Sequence, residues 1–218
     1  MQQNKLKAKG IFLDLDGTIV DSTNAYIEAA RIAFTALDKP LPTTHVMFEI
    51  PRRIEQTLNI DDLTFGCTQK FMPIYLQAYH ATTEKHAKLF PNTAHTIFEL
   101  SKKAKLAVIT MRHVPNEVIQ KELDNMGIAQ YFSHVMTSLD TAKPKPSPEQ
   151  IILCAQKMGL EMEKCLIVGD SVNDVRAGKA AGAKTVAVLS GLYGKEVLAK
   201  EDPDLMLTEL SLLPEHIE

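Results

Sequence analysis

Ile11-Phe12-Leu13-Asp14-Leu15-Asp16-Gly17-Thr18 decides how this chain is read. An apolar run of strand character stops at two aspartates one residue apart, followed by glycine. Open α/β sheets bind ligands beyond the carboxyl ends of their strands. Two carboxylates this close repel each other unless a positive charge lies between them. The segment therefore suits a bound cation, with a carboxylate oxygen set beside whatever that cation holds. An ordinary polar loop would also tolerate Asp-x-Asp, so the pair needs support from elsewhere. A calcium loop fails, because it needs glycine at its sixth position and glutamate at its twelfth. Counted from Asp14, those positions are Ile19 and Ala25.

Support comes from other strand ends. Cys165-Leu166-Ile167-Val168 is a second apolar run, and it ends in Gly169-Asp170-Ser171-Val172-Asn173-Asp174. Leu106-Ala107-Val108-Ile109 ends in the hydroxyl of Thr110. Between these lies Lys143-Pro144-Lys145-Pro146, where the prolines exclude helix and central strand and give a stiff loop. Two aspartates, a hydroxyl, a lysine and two further aspartates thus follow in order, each tied to a strand end or a rigid loop.

Strand patterns at 10–15, 105–109, 134–137, 165–168, 184–189 and 204–207 alternate with helical ones. Helices are expected over 114–126, 147–158 and 173–181, with stops at Gly127, Gly159 and Gly182. The alternation predicts right-handed crossovers and a parallel sheet covered on both faces. The stretch 21–88 is too long for one crossover. Tyr26, Ala29, Ala30, Ala33 and Phe34 make one amphipathic helix face, and Phe71, Ile74, Tyr75, Ala78 and Tyr79 make another. These aromatics read first as helix–helix core.

The chain resembles the haloacid-dehalogenase-like hydrolases, in the branch with a helical cap that holds phosphoglycolate phosphatases and β-phosphoglucomutases. The matching residues are Asp14, Asp16, Gly17 and Thr18, then Thr110, then Lys143, then Gly169-Asp170 with Asp174. One departure is Met111, where the family often has asparagine or serine, which weakens the expectation of a phosphate contact there. The resemblance implies a Rossmann-like α/β core (1–20 and 89–218) with an inserted α-helical cap (21–88) hinged near 19–22 and 90–92. It implies Asp14 as nucleophile and Asp16 as general acid and base. Thr110 and Lys143 would hold phosphate oxygens; Asp14, the main-chain carbonyl of Asp16 and Asp170 would bind Mg²⁺, with Asp174 either a further ligand or a partner behind one. Arg52 and Arg53, placed between two helical segments of the cap, are candidates for a substrate anion; Arg112 is a weaker one.

The composition is consistent with this. A chain of 218 residues, 45% hydrophobic, buries a substantial core. A net charge of −3 implies no general affinity for polyanions. Seven basic residues balance seven acidic ones over 22–88, which argues against a nucleic-acid face. Cys67, Cys154 and Cys165 form no Cys-x-x-Cys pair, which suggests a reducing compartment and no structural zinc. The seven histidines make no cluster. No signal peptide or membrane span is evident, so a cytoplasmic location is expected.

Among rival activities, Asp16 argues against a dehalogenase, which needs no acid two residues after its nucleophile. A sugar phosphomutase shares all four motifs and is the alternative. A phosphonate hydrolase would need a buried cap lysine, with Lys39 and Lys70 available. A non-catalytic binding module would have lost a motif residue. The resemblance implies a small phosphorylated metabolite as substrate. Phosphoglycolate, a sugar phosphate, a nucleotide monophosphate and pyrophosphate are all compatible, and nothing sets the oligomeric state.

Overall fold

The computed structural model describes residues 5–86 and 88–218. The strands are β1 (Gly10–Leu13), β2 (Val20–Asp21), β3 (Lys88–Leu89), β4 (Lys105–Ile109), β5 (Phe132–Met136), β6 (Cys165–Gly169), β7 (Lys184–Val188) and β8 (Leu205–Leu207). The helices are α1 (Thr23–Ala36), α2 (Thr44–Glu55), α3 (Thr68–His86), α4 (Thr93–Ser101), α5 (Asn116–Asn125), α6 (Glu149–Met158), α7 (Val172–Ala181) and α8 (Lys195–Ala199). The chain divides into two compact units, 1–20 with 89–218, and 21–88.

The larger unit is a six-stranded parallel sheet in the order β5-β4-β1-β6-β7-β8. Strand β1 is central, and its four residues are all buried. That explains why its sequence is continuously apolar instead of alternating. Its side chains still divide between two faces. Ile11 and Leu13 pack with Val108, Val168, Ile97, Leu100, Ile119 and Leu123. Phe12 packs with Ala107, Ile109, Ile167, Ile151, Cys154 and Ala177. Helices α4 and α5 therefore cover one face and α6 and α7 the other, as the Rossmann-like reading requires.

Sequence pattern and structure differ at the strand ends. β1 stops at Leu13 and not Leu15, because the Leu15 carbonyl accepts from the Ile19 and Val20 N–H groups and closes a tight turn. β5 begins at Phe132, two residues before the expected start. Helices α6 and α7 stop on Gly159 and Gly182 as expected.

The smaller unit is helical. Phe34, Phe71 and Tyr75 form its aromatic core, and Tyr26 stacks on Tyr79 with ring centroids 5.1 Å apart. Proline 51 does not separate two segments, as expected from sequence, but lies inside α2, and Pro73 lies inside α3. An interior proline costs about 3 kcal/mol through its missing N–H. Burial of Pro51 with Met47 and Ile50 on one face offsets that cost. Arg52 and Arg53 thus sit in the last turn of a helix. No helix among the described residues is long and apolar enough to cross a membrane.

Candidate active site

Strand register brings the acidic residues to one edge. Leu13 is paired with both Val108 and Val168, so the chain leaves β1, β4 and β6 at one level. Asp14, Thr110 and Asp170 follow at the carboxyl ends. The Asp14 N–H still donates to the Val168 carbonyl at 2.9 Å, which fixes its backbone beside β6. Carboxylate oxygens of Asp14, Asp170 and Asp174 all lie within 4.8 Å of one another, and all three residues are buried.

The lysine at this cluster is Lys145 and not Lys143. Its ammonium donates to Asp14 Oδ1 at 2.6 Å, Asp174 Oδ1 at 2.6 Å and the Ile109 carbonyl at 2.9 Å, using all three of its N–H bonds. Lys143 is exposed, and its backbone N–H donates to Glu149. The physical reason is Gln150. Its Oε1 accepts from the Lys145 backbone N–H, and its Nε2 donates to the Thr137 carbonyl at 2.7 Å. This buried amide ties the loop to the strand ends at residue 145 and leaves residue 143 outside.

Electrostatics follow from burial. Desolvation raises the Asp14 carboxyl, Lys145 pulls it back, and Asp174 and Asp16 push it up again, so that with protein groups alone it reaches about 8. Burial alone would lower Lys145, but Asp14 and Asp174 outweigh that and hold its ammonium above the ordinary range. With Asp16, Glu122 and Arg112 included, five carboxylates face two basic groups. A divalent cation offsets most of that excess, and an all-oxygen donor set of this kind suits a hard one.

The surroundings keep these oxygens aimed. Gly17 has φ +82°, and a Cβ there would stand 2.6 Å from Asp170 Oδ2. A Cβ on Gly191, in the loop after β7, would overlap the same oxygen. In that loop Leu192 N–H donates to Asp170 Oδ2 at 3.3 Å, and Ser190 Oγ donates to the Gly17 carbonyl at 2.6 Å. Thr18 Oγ1 donates to Asp170 Oδ1 at 3.3 Å. Asp174 has a second duty. Its Oδ2 accepts from Ser171 N–H and Oγ in a capping box that starts α7.

Asp16 lies at the same edge and pairs with Arg112. Arg112 Nε and Nη2 donate to its two oxygens at 2.7 and 2.6 Å, and Nη1 donates to Glu122 Oε2 at 2.6 Å. Arg112, expected as a substrate contact, is thus buried and bound to two acids of the protein. Thr110 is buried, and its Oγ1 accepts from the Arg112 N–H at 3.2 Å. Arg52 and Arg53 belong to the other unit, where Arg53 pairs with Asp62 at 2.7 Å and Arg52 lies 3.8 Å from Glu49. Lys70 there is exposed and Lys39 is half-buried. No histidine joins the acidic cluster among the described residues, and the His86 side chain lies outside them. Burial pushes the Cys154 and Cys165 thiols up to about 12 and about 11.

Sequence reasoning missed Glu122, Gln150 and the Ser190–Leu192 loop. Glu122 and Gln150 left a trace. Glu122 lies between Ile119 and Leu123 on the buried face of α5, and Gln150 precedes Ile151 and Cys154 on that of α6. A polar residue on an apolar helix face needs a buried partner.

Comparison with known proteins points the same way. A phosphoglycolate phosphatase from Salmonella typhi is 29% identical over 97% of this chain and 94% of its own length. The crystal structure of a predicted phosphoglycolate phosphatase from Haemophilus somnus superposes with a TM-score of 0.78 at 26% identity, covering 95% of this chain and 97% of that one. A Bacillus subtilis hydrolase solved bound to magnesium shares the fold, with a TM-score of 0.75 at 21% identity over 96% of this chain and 98% of that one. The model of the haloacid dehalogenase-like hydrolases matches residues 11–188. The chain belongs to the haloacid dehalogenase-like hydrolases.

Proposed function

We propose that this hydrolase is a Mg²⁺-dependent phosphatase for a small phosphorylated metabolite, acting through a phosphoryl group carried on Asp14. The observation that carries the reading is the convergence of Asp14, Asp170 and Asp174 beside the Lys145 ammonium. Asp14, Asp170 and the Asp16 main-chain carbonyl would hold Mg²⁺, with Asp174 fixing Lys145 and the start of α7. Bound there, the ion neutralises charge on the phosphate and lets an anionic nucleophile approach.

The chain's own groups supply the rest. Lys145 occupies Asp14 Oδ1, so Oδ2 is the attacking oxygen. It forms a bond to phosphorus as the ester P–O bond breaks, and Asp16 gives a proton to the departing alkoxide. Water then attacks phosphorus, Asp16 takes its proton, and the bond to Asp14 breaks to release phosphate. Thr110 at the end of β4 steadies a phosphoryl oxygen. The relatives named phosphoglycolate phosphatase make a phosphorylated carboxylic acid the first substrate to try.

The test is phosphate release across a panel of phosphorylated metabolites, with and without Mg²⁺, for wild type and Asp14→Asn. Wild type is expected to turn over with Mg²⁺ alone, and the variant to fold yet be inactive. An Asp14→Asn protein that hydrolyses esters at the wild-type rate refutes the mechanism. Isomerised sugar phosphate without free phosphate would establish the mutase instead.

A further inference from the structure

Arg112 is 5% exposed, two residues past Thr110. Its Nε and Nη2 form a fork on both oxygens of Asp16, 96 residues away in the chain. Its third bond runs through Nη1 to Glu122 Oε2 on α5. Its backbone is fixed as well. The N–H donates to Thr110 Oγ1 at 3.2 Å, and the carbonyl accepts from Ser138 N–H at 3.1 Å. The main chain is therefore held from the end of β4 and from the loop after β5, and the guanidinium from Asp16 and from α5.

A fork engaging both oxygens fixes the plane of a carboxylate, which a single hydrogen bond leaves free to rotate. Lysine, a point charge on a flexible stem, cannot do this. An arginine that read substrate would present its donors to solvent, whereas this one turns them to two acids of the protein, part-buried Asp16 and buried Glu122. We infer that Arg112 and Glu122 are positioning residues that together set the plane of the Asp16 carboxylate for proton transfer. Neither touches the reacting atoms. Glu122 aims Arg112, and Arg112 aims Asp16. This inference rests on the phosphatase reading, which gives Asp16 its proton-transfer role.

The two chemical steps separate the clamp from a merely structural pair. An aryl phosphate has a good leaving group, so forming the phosphoryl bond to Asp14 needs little acid help. Hydrolysis of that bond needs Asp16 as base, whatever the leaving group was. With p-nitrophenyl phosphate, Mg²⁺ and enzyme in excess, release of aryl alcohol reports the first step and release of phosphate the second. Arg112→Lys and Glu122→Ala should release aryl alcohol within about threefold of the wild-type rate, while phosphate release slows about 10- to 100-fold. Glu122→Gln keeps an oxygen that accepts from Nη1 and should restore phosphate release to near wild type.

Each outcome decides. Glu122→Ala with wild-type phosphate release overturns the clamp. So does an equal slowing of both steps in either variant, which would mark the pair as simple support for the fold, and so does a Glu122→Gln protein as slow as Glu122→Ala. Where Arg112→Lys fails to fold, by circular dichroism, the Glu122 pair of variants carries the test. A wild type that releases neither product, or an Asp14→Asn protein that releases aryl alcohol, overturns the phosphatase reading and the clamp with it. Wild-type activity with an unchanged Glu122→Ala overturns the clamp alone.

Discussion

Replacing Lys145 by methionine keeps most of the apolar stem and removes the ammonium. The side chain is 1% exposed, so no water takes over its three bonds. Asp14 and Asp174 would then face each other without their counter-charge, and the Ile109 carbonyl would lose its donor. Breaking a buried ion pair by removing one partner costs about 3–5 kcal/mol. At about 2–4 °C per kcal/mol for a chain of this size, the expected drop in Tm is roughly 6–20 °C. The pH dependence has a definite sign. Asp14 in the folded protein titrates near 8 against an ordinary 3.8, so the folded state binds the extra proton between those values. Stability falls as pH rises through that window. Without Lys145, the influence that lowers the Asp14 value is gone and the window extends upward. The deficit of the variant should therefore be larger at pH 8.5 than at pH 6, where Asp14 is protonated in both proteins, by about 1 kcal/mol. Thermal unfolding followed by circular dichroism in EDTA, at the two pH values, measures this. A variant within about 1 kcal/mol of wild type at pH 8.5, or a deficit independent of pH, refutes the argument.

Three other outcomes are expected. Gly191→Ala would push a methyl group into Asp170 Oδ2 and should weaken Mg²⁺ binding about 10- to 100-fold by calorimetry; unchanged affinity would show that the loop does not set that carboxylate. Tyr75→Phe removes a buried hydroxyl with no hydrogen-bond partner among the described residues. It should leave stability unchanged or raise it by up to about 2 kcal/mol, and a clear fall in Tm would reveal a partner for that oxygen. Asp16→Asn should slow alkyl phosphate hydrolysis about 10²- to 10⁴-fold, while aryl alcohol release in a single turnover changes least; equal losses for both esters would remove Asp16 from proton transfer.

What the sequence made readable was chemistry carried by neighbours in the chain. Apolar runs ending in Asp14, Thr110 and Asp170 declared parallel strands with a common ligand edge, since burial on both faces needs continuous apolar residues. Lys143 and Lys145 could not be told apart, because each is followed by proline in the same stiff loop and only the contacts of Gln150 with Lys145 and Thr137 in the folded chain select the inner one. The pairing of Arg112 with Asp16 spans 96 residues, and no local pattern encodes it. Pro51 misled for a different reason. Proline breaks an isolated helix, but here tertiary burial of the same residue outweighs its lost hydrogen bond.

The separation between Asp14 and Lys145 also bears on synthesis. These groups lie 131 residues apart, with β4 and β5 between them. A chain growing on the ribosome exposes Asp14 before these partners, as an ordinary hydrated acid. Its counter-charge arrives only after β5, and Asp170 and Asp174 come after that. The carboxyl of Asp14 therefore gains its buried surroundings only once synthesis has passed residue 174. A product truncated before residue 145 would carry Asp14 without the lysine and the two carboxylates that set its charge.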